Sequence, residues 1–169
     1  MNFNEIYDII KYKKNEKEKK MNVKIYTDGA CSSNGKTNAK AGWAYVILDS
    51  DDKIIREASG SIENGTNNIG ELRAIIEAMA YCRNHDFDSI EFFCDSAYCV
   101  NGITDWMFNW KKYNWWRNEK QTAELKNRTM WIEVDTLIDR KKMKFNKVKG
   151  HSDVSWNIYV DKLAVAQTK

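Results

Sequence analysis

Apolar and polar positions alternate or cluster along this chain in a way that sets out its elements before any chemistry is considered. Residues 23–27 form an apolar run that reads as a first strand. Residues 42–48 read as a second and residues 54–61 as a third, with Asp49, Ser50, Asp51 and Asp52 turning the chain between the last two. With that turn, the three read as an antiparallel meander. Leu72, Ile75, Ile76, Met79 and Ala80 then recur at i, i+3, i+4, i+7 and i+8, the stripe of an amphipathic helix, with Asn67 or Asn68 as its cap and Asp86 and Asp88 marking its end. Residues 89–94 are a fourth strand, and the strand–helix–strand order implies that it runs parallel to the first. Helical spacing returns over residues 97–110, where Gly102 predicts a break, and over residues 125–138. A loop is expected over residues 111–120, a short fifth strand over residues 144–148, and a last helix over residues 157–167 packing through Val160, Leu163, Ala164 and Ala166. The expected class is α/β: a five-stranded mixed sheet, antiparallel through strands 1–3 and parallel through strands 4 and 5, with helices on both faces.

Length and composition narrow this picture modestly. The 169 residues suit one domain with a short extension. Residues 1–20 form that extension: Ile6, Tyr7, Ile9 and Ile10 fall at helical spacing, followed by a solvated charge run, and residues 21–169 form the folded unit. The net charge of +3 says little about partners. Cys31, Cys82, Cys94 and Cys99 include no CxxC pair, so free thiols in a reducing compartment are expected rather than a disulfide frame or zinc site. Neither a membrane-spanning stretch nor a signal peptide is evident, and a cytoplasmic protein is expected. No apolar stripe is left over for a second copy, so a monomer is expected.

Candidate chemistry lies in four distant acids. Asp28 ends the first apolar run beside Gly29, and Asp95 ends the fourth beside Ser96. Each alone also fits an ordinary role: a turn aspartate for Asp28, a first-turn glutamate favouring the helix dipole for Glu71, a helix cap at Asp95 or Ser96, and a surface position for Asp161. Together they point elsewhere. Parallel strands 1 and 4 bring Asp28 and Asp95 side by side at the carboxyl edge of the sheet, where ligands of open α/β sheets collect. The helix bearing Glu71 crosses the same sheet, and Asp161 follows a loop containing His151. Acids so close repel one another unless cations intervene, and oxygen ligands without a His or Cys pair favour magnesium, with manganese as a substitute. Two such ions per site, about 4 Å apart, suit in-line attack on a phosphodiester.

A second feature is aromatic and basic. Trp106, Trp110, Trp115 and Trp116 are interleaved with Lys111, Lys112, Arg117 and Lys120. Residues 111–128 hold six basic and two acidic side chains, a local excess of +4. Such charge suits a phosphate backbone and such rings suit sugars or bases, while some of the tryptophans also fit helix core, with Trp106 and Trp110 sharing a face that is partly core and partly exposed.

The segments Tyr26-Thr27-Asp28-Gly29-Ala30-Cys31, Thr66-Asn67-Asn68-Ile69-Gly70-Glu71-Leu72, Asp95-Ser96-Ala97-Tyr98, Gly102-Ile103-Thr104-Asp105-Trp106, Asn109-Trp110-Lys111-Lys112 and Val148-Lys149-Gly150-His151 occur in the order and spacing of type 1 ribonuclease H, which residues 22–167 resemble. The resemblance implies the ribonuclease H-like fold and an endonuclease that hydrolyses the RNA strand of an RNA–DNA hybrid by two-metal-ion catalysis, leaving 5′-phosphate and 3′-hydroxyl ends. It implies that Asp28, Glu71, Asp95 and Asp161 are metal-binding carboxylates and that His151 assists proton movement or product release. Cys31 (through its backbone), Asn34, Asn67 and Asn68 would meet the hybrid, the first three near the RNA 2′-hydroxyls. Thr66 would meet a DNA phosphate, and Trp106, Trp110, Lys111 and Lys112 would belong to a protrusion holding the DNA strand. The chain departs from the family pattern at Ala97, where Gln or Asn is common, and at Ile158, where Glu is common; residues 32–38 lack the usual Gly/Pro-rich turn. Residues 1–20 lack the pattern of a hybrid-binding module. Two other readings remain at this point: a nucleic-acid-binding module without catalysis, and an integrase- or transposase-like core acting on DNA.

Overall fold

The computed structural model describes residues 21–33, 36, 38–149 and 155–169. Its five strands are β1 (Asn22–Cys31), β2 (Lys40–Leu48), β3 (Ile54–Glu63), β4 (Ser89–Cys94) and β5 (Met143–Lys147). They form one sheet in the order β3-β2-β1-β4-β5. β1–β2 and β2–β3 are antiparallel, and β1–β4 and β4–β5 are parallel, as the element order implies. β1 has neighbours on both sides and helices on both faces. Residues Ile25 to Gly29 are therefore all buried, and the run loses the period-2 alternation of a half-exposed strand. β3, at the edge, is largely exposed.

Asp28 does not end β1: the antiparallel ladder continues through Asp28↔Ala44 to Cys31↔Ala41. What ends is the parallel ladder, whose last pair is Thr27↔Cys94. Asp28 and Asp95 are thus the next residues in register, each one step past the point where the two strands part.

The helices divide unequally between the faces. α1 (Asn67–Arg83) lies on one face with Leu72, Ile75, Ile76 and Met79 buried against Val23, Ile25, Ile47 and Phe92. Its cap is Thr66, not an asparagine: the Thr66 hydroxyl accepts from the Ile69 N–H at 3.3 Å. On the same face, α2 (Ala97–Asn101) and α3 (Met107–Lys112) are joined by a π-helical turn (Gly102–Trp106), and α4 (Arg128–Leu137) packs beside them. Gly102 does not break this rod. It keeps helical dihedrals, and it is glycine because a Cβ there would strike the ring of Trp131. The helix accordingly runs on to Lys112, past the expected loop start. α5 (Ser155–Ala166) covers the other face, where Val160 and Ala164 meet Tyr26, Ala44, Val46 and Leu48; Ala166, expected in this contact, is exposed.

Candidate metal centre and nucleic-acid interface

Glycines set the spacing of the site. A Cβ on Gly29 would collide with the backbone of Gly70 and Glu71, and one on Gly70 would lie 3.3 Å from Gly29 Cα. Bare backbone against bare backbone lets the first turns of α1 rest directly on β1, which delivers Glu71 beside Asp28. On the opposite face a Cβ on Gly42 would meet the Ala164 carbonyl, so α5 also approaches closely and brings Asp161 towards the same edge. Asp95 arrives by a third route. Ser96, not Asp95, caps α2, its hydroxyl accepting from the Cys99 N–H at 3.3 Å, and the Asp95 carboxylate is left with no capping duty.

The four acids converge. One carboxylate oxygen from each of Asp28, Glu71 and Asp95 lies within 4.8 Å of the others. Asp161 joins Asp28 and Asp95 in lining a cleft of about 240 Å³ together with Asn157 and Ile158. Asp28 and Glu71 are buried, at 5% and 4% exposure; Asp95 and Asp161 are half-buried. Among the described residues no lysine or arginine forms an ion pair with any of the four. Asp28 Oδ1 accepts from the Gly29 N–H at 2.8 Å, and the Cys94 thiol points at Glu71 Oε2 at 3.8 Å.

This crowding is unfavourable as it stands. Burial, then the neighbouring charge of Asp95, pushes the Asp28 carboxyl up to about 7, against the partial relief of the Gly29 N–H; Asp161 adds to the upward push. Burial likewise holds the Glu71 carboxyl well above the usual range, reinforced by Cys94, Asp28 and Asp95. The set fits hard divalent cations: oxygen donors from four places, no compensating side-chain cation among the described residues, and enough negative charge to repay dehydration.

The profile of the RNase H family matches residues 19–169. The chain belongs to the ribonuclease H family. A ribonuclease H of Clostridium botulinum is 41% identical over 143 residues, covering 84% of this chain and 92% of that protein. Among solved structures, LC9-RNase H1, described as a type 1 RNase H with the type 2 active-site motif, superposes with a TM-score of 0.77 at 26% identity over 88% of this chain and 72% of that one. LC11-RNase H1 in complex with an RNA/DNA hybrid shares the fold, with a TM-score of 0.63 at 20% identity over 86% of this chain and 96% of that one. These likenesses set aside the integrase-like reading and that of a non-catalytic binding module.

Of the remaining expected site residues, the described ones lie as follows. Asn67 and Asn68 are exposed in the first turn of α1, directly after the Thr66 cap. Cys31 ends β1, its thiol pointing to the Gly65 carbonyl at 3.6 Å. Trp106 is 37% exposed and Trp110 only 7%, its ring centroid 5.1 Å from that of Trp131. Trp110 is therefore core, with little face to offer a nucleic acid. Lys111 is exposed and pairs with Asp135 at 2.8 Å, and Lys112 is exposed beside Tyr113. His151 and Asn34 lie outside the described residues. His85 stacks on Tyr81 at 3.9 Å and its Nδ1 meets the Tyr81 carbonyl, a structural role at the end of α1. Sequence reading missed Asn157. Its signal was available: it stands four residues before Asp161 on the same helix, and so on the same face.

Proposed function

We propose that this chain hydrolyses the RNA strand of RNA–DNA hybrids by two-metal-ion catalysis, with Asp28, Glu71, Asp95 and Asp161 as ligands and magnesium as the working ion. The observation that carries this reading is the convergence of three carboxylates within 4.8 Å, two of them buried and none paired with a basic side chain among the described residues. Manganese would substitute. Cations bound there would supply a nucleophilic water at neutral pH and neutralise charge at the leaving 3′ oxygen, giving 5′-phosphate and 3′-hydroxyl ends.

The protein's own contribution is to hold negative charge in place. The Gly29 N–H fixes one oxygen of Asp28, leaving the other for coordination. Glu71 sits on a helix seated on β1 without intervening side chains, so its approach is rigid. The exposed amides of Asn67 and Asn68, with the backbone around Cys31, are suited to meeting ribose hydroxyls, the groups that distinguish RNA from DNA. Thr66 would contact a DNA phosphate, and Trp106, Lys111 and Lys112 would hold the DNA strand. His151 and Asn34 keep the roles that the family resemblance implies. A monomeric, cytoplasmic protein belongs to the same reading. All four cysteines are free thiols, and no helix among the described residues is long and apolar enough to cross a membrane.

The test is product analysis on end-labelled RNA–DNA hybrid, duplex DNA and duplex RNA, with magnesium and with a chelator. Internal cuts confined to the RNA of the hybrid, and only with metal, are expected; cutting of duplex DNA, or of hybrid in the presence of chelator, would overturn the assignment.

A further inference from the structure

Among the described residues, Asn157 is the one polar member of the cleft without an assigned task. The inward stripe of α5 is Asn157, Val160 and Ala164. An apolar residue at 157 would complete that stripe at no cost in desolvation, yet the position holds an amide that is only 2% exposed. Its Oδ1 is buried without a hydrogen-bond partner among the described residues. An orphaned buried acceptor keeps its full desolvation penalty, so the oxygen calls for a donor.

Once a cation holds the acids ionised, the described neighbours that line the cleft supply none. Asp28, Asp95 and Asp161 are acceptors once ionised, and Ile158 is apolar. Water on a bound divalent cation is a donor of the right kind, because magnesium retains several waters when protein carboxylates hold it. The χ2 torsion of asparagine is soft, so the amide turns into the cleft at little cost.

We propose that Asn157 is a positioning residue of the metal centre: its Oδ1 accepts a hydrogen bond from water carried by a cation held between Asp28 and Asp161, and so orients that hydration shell. The inference rests on the metal-site reading above. Partners outside the ligand set commonly change metal affinity by about 10- to 100-fold.

Manganese binding followed by calorimetry tests it, on wild type, Asn157→Ala and Asn157→Asp, together with the melting temperature of each metal-free protein. The alanine variant is expected to bind manganese about tenfold more weakly while its metal-free melting temperature stays level or rises, since the orphaned oxygen is gone. The aspartate variant, which keeps an oxygen at that point, is expected to bind at least as tightly as wild type. A purely structural asparagine predicts the reverse pattern: a lower metal-free melting temperature in Asn157→Ala with unchanged manganese affinity, and that result overturns the inference alone. If Asn157→Ala does not fold, Asn157→Asp decides, weaker binding than wild type counting against the proposal. If wild type itself binds no manganese, the metal-site reading falls and the inference with it.

Discussion

The acid cleft and the tryptophan-rich segment were both conspicuous in the sequence, and they folded to different degrees of agreement with it. In the cleft every described acid that stood out converges: Asp28, Glu71 and Asp95 on one another, and Asp161 onto the same cavity. In the aromatic segment the residues separate. Trp110 is core, Trp106 is surface, and Trp115 and Trp116 are half-buried beside Arg128. The difference lies in what each side chain gains from folding. Burying a carboxylate is costly, so an acid at a buried strand edge has little reason to be there other than chemistry. A tryptophan gains from burial wherever it goes, and its presence near lysines does not say which way it faces.

The sharpest way to break this contrast is Asp28→Asn. It should reduce magnesium-dependent hybrid cleavage by more than about a hundredfold, beyond what outer partners of a metal contribute, while the metal-free protein melts no lower than wild type; near-normal cleavage would sink the assignment of Asp28. Next in size is Trp110→Ala, expected to destabilise by about 3–5 kcal/mol in denaturant unfolding, as for large core truncations. Trp106→Ala should cost no more than about 0.5 kcal/mol, as a surface change, and should instead weaken hybrid binding. Equal stability losses for the two would erase the distinction between core and surface tryptophans.

Acidity offers a third probe. Asp28 binds its proton up to about pH 7 in the folded protein but releases it near its ordinary value when unfolded, and Glu71 is displaced in the same direction. The native state holds more protons between those limits, so metal-free stability should fall as pH rises from about 4 to about 7, by at most about 4 kcal/mol from Asp28. Saturating magnesium should flatten that slope. A melting temperature that climbs with pH over this interval without metal would contradict it. The smallest effect is expected of Lys112→Ala, which should lower the salt dependence of hybrid binding by about one counterion while leaving the unfolding midpoint unchanged.

Much of the fold was legible because its signals are local. Leu72, Ile75, Ile76 and Met79 repeat at helical spacing, and strands 1 and 4 are compact apolar runs. What stayed hidden depends on partners distant in sequence. Gly102 reads as a helix breaker until the ring of Trp131 is placed against it. β1 runs past Asp28 because β2 pairs with it there. Thr66 caps α1 although two asparagines stand nearer the centre of that motif. Asn157 reads as commonplace, a polar residue near the start of a helix; its burial, and an oxygen unpartnered among the described residues, are properties of three dimensions.

Gly29 and Gly70 carry a final consequence. Where two backbones touch with no side chain between them, there is no rotamer to relax and no methyl group to give way. The gap between the acids of β1 and α1 is thus fixed by main-chain contact, and even a one-carbon addition at either glycine should act as a wedge, spoiling ion capture in a protein that otherwise still folds.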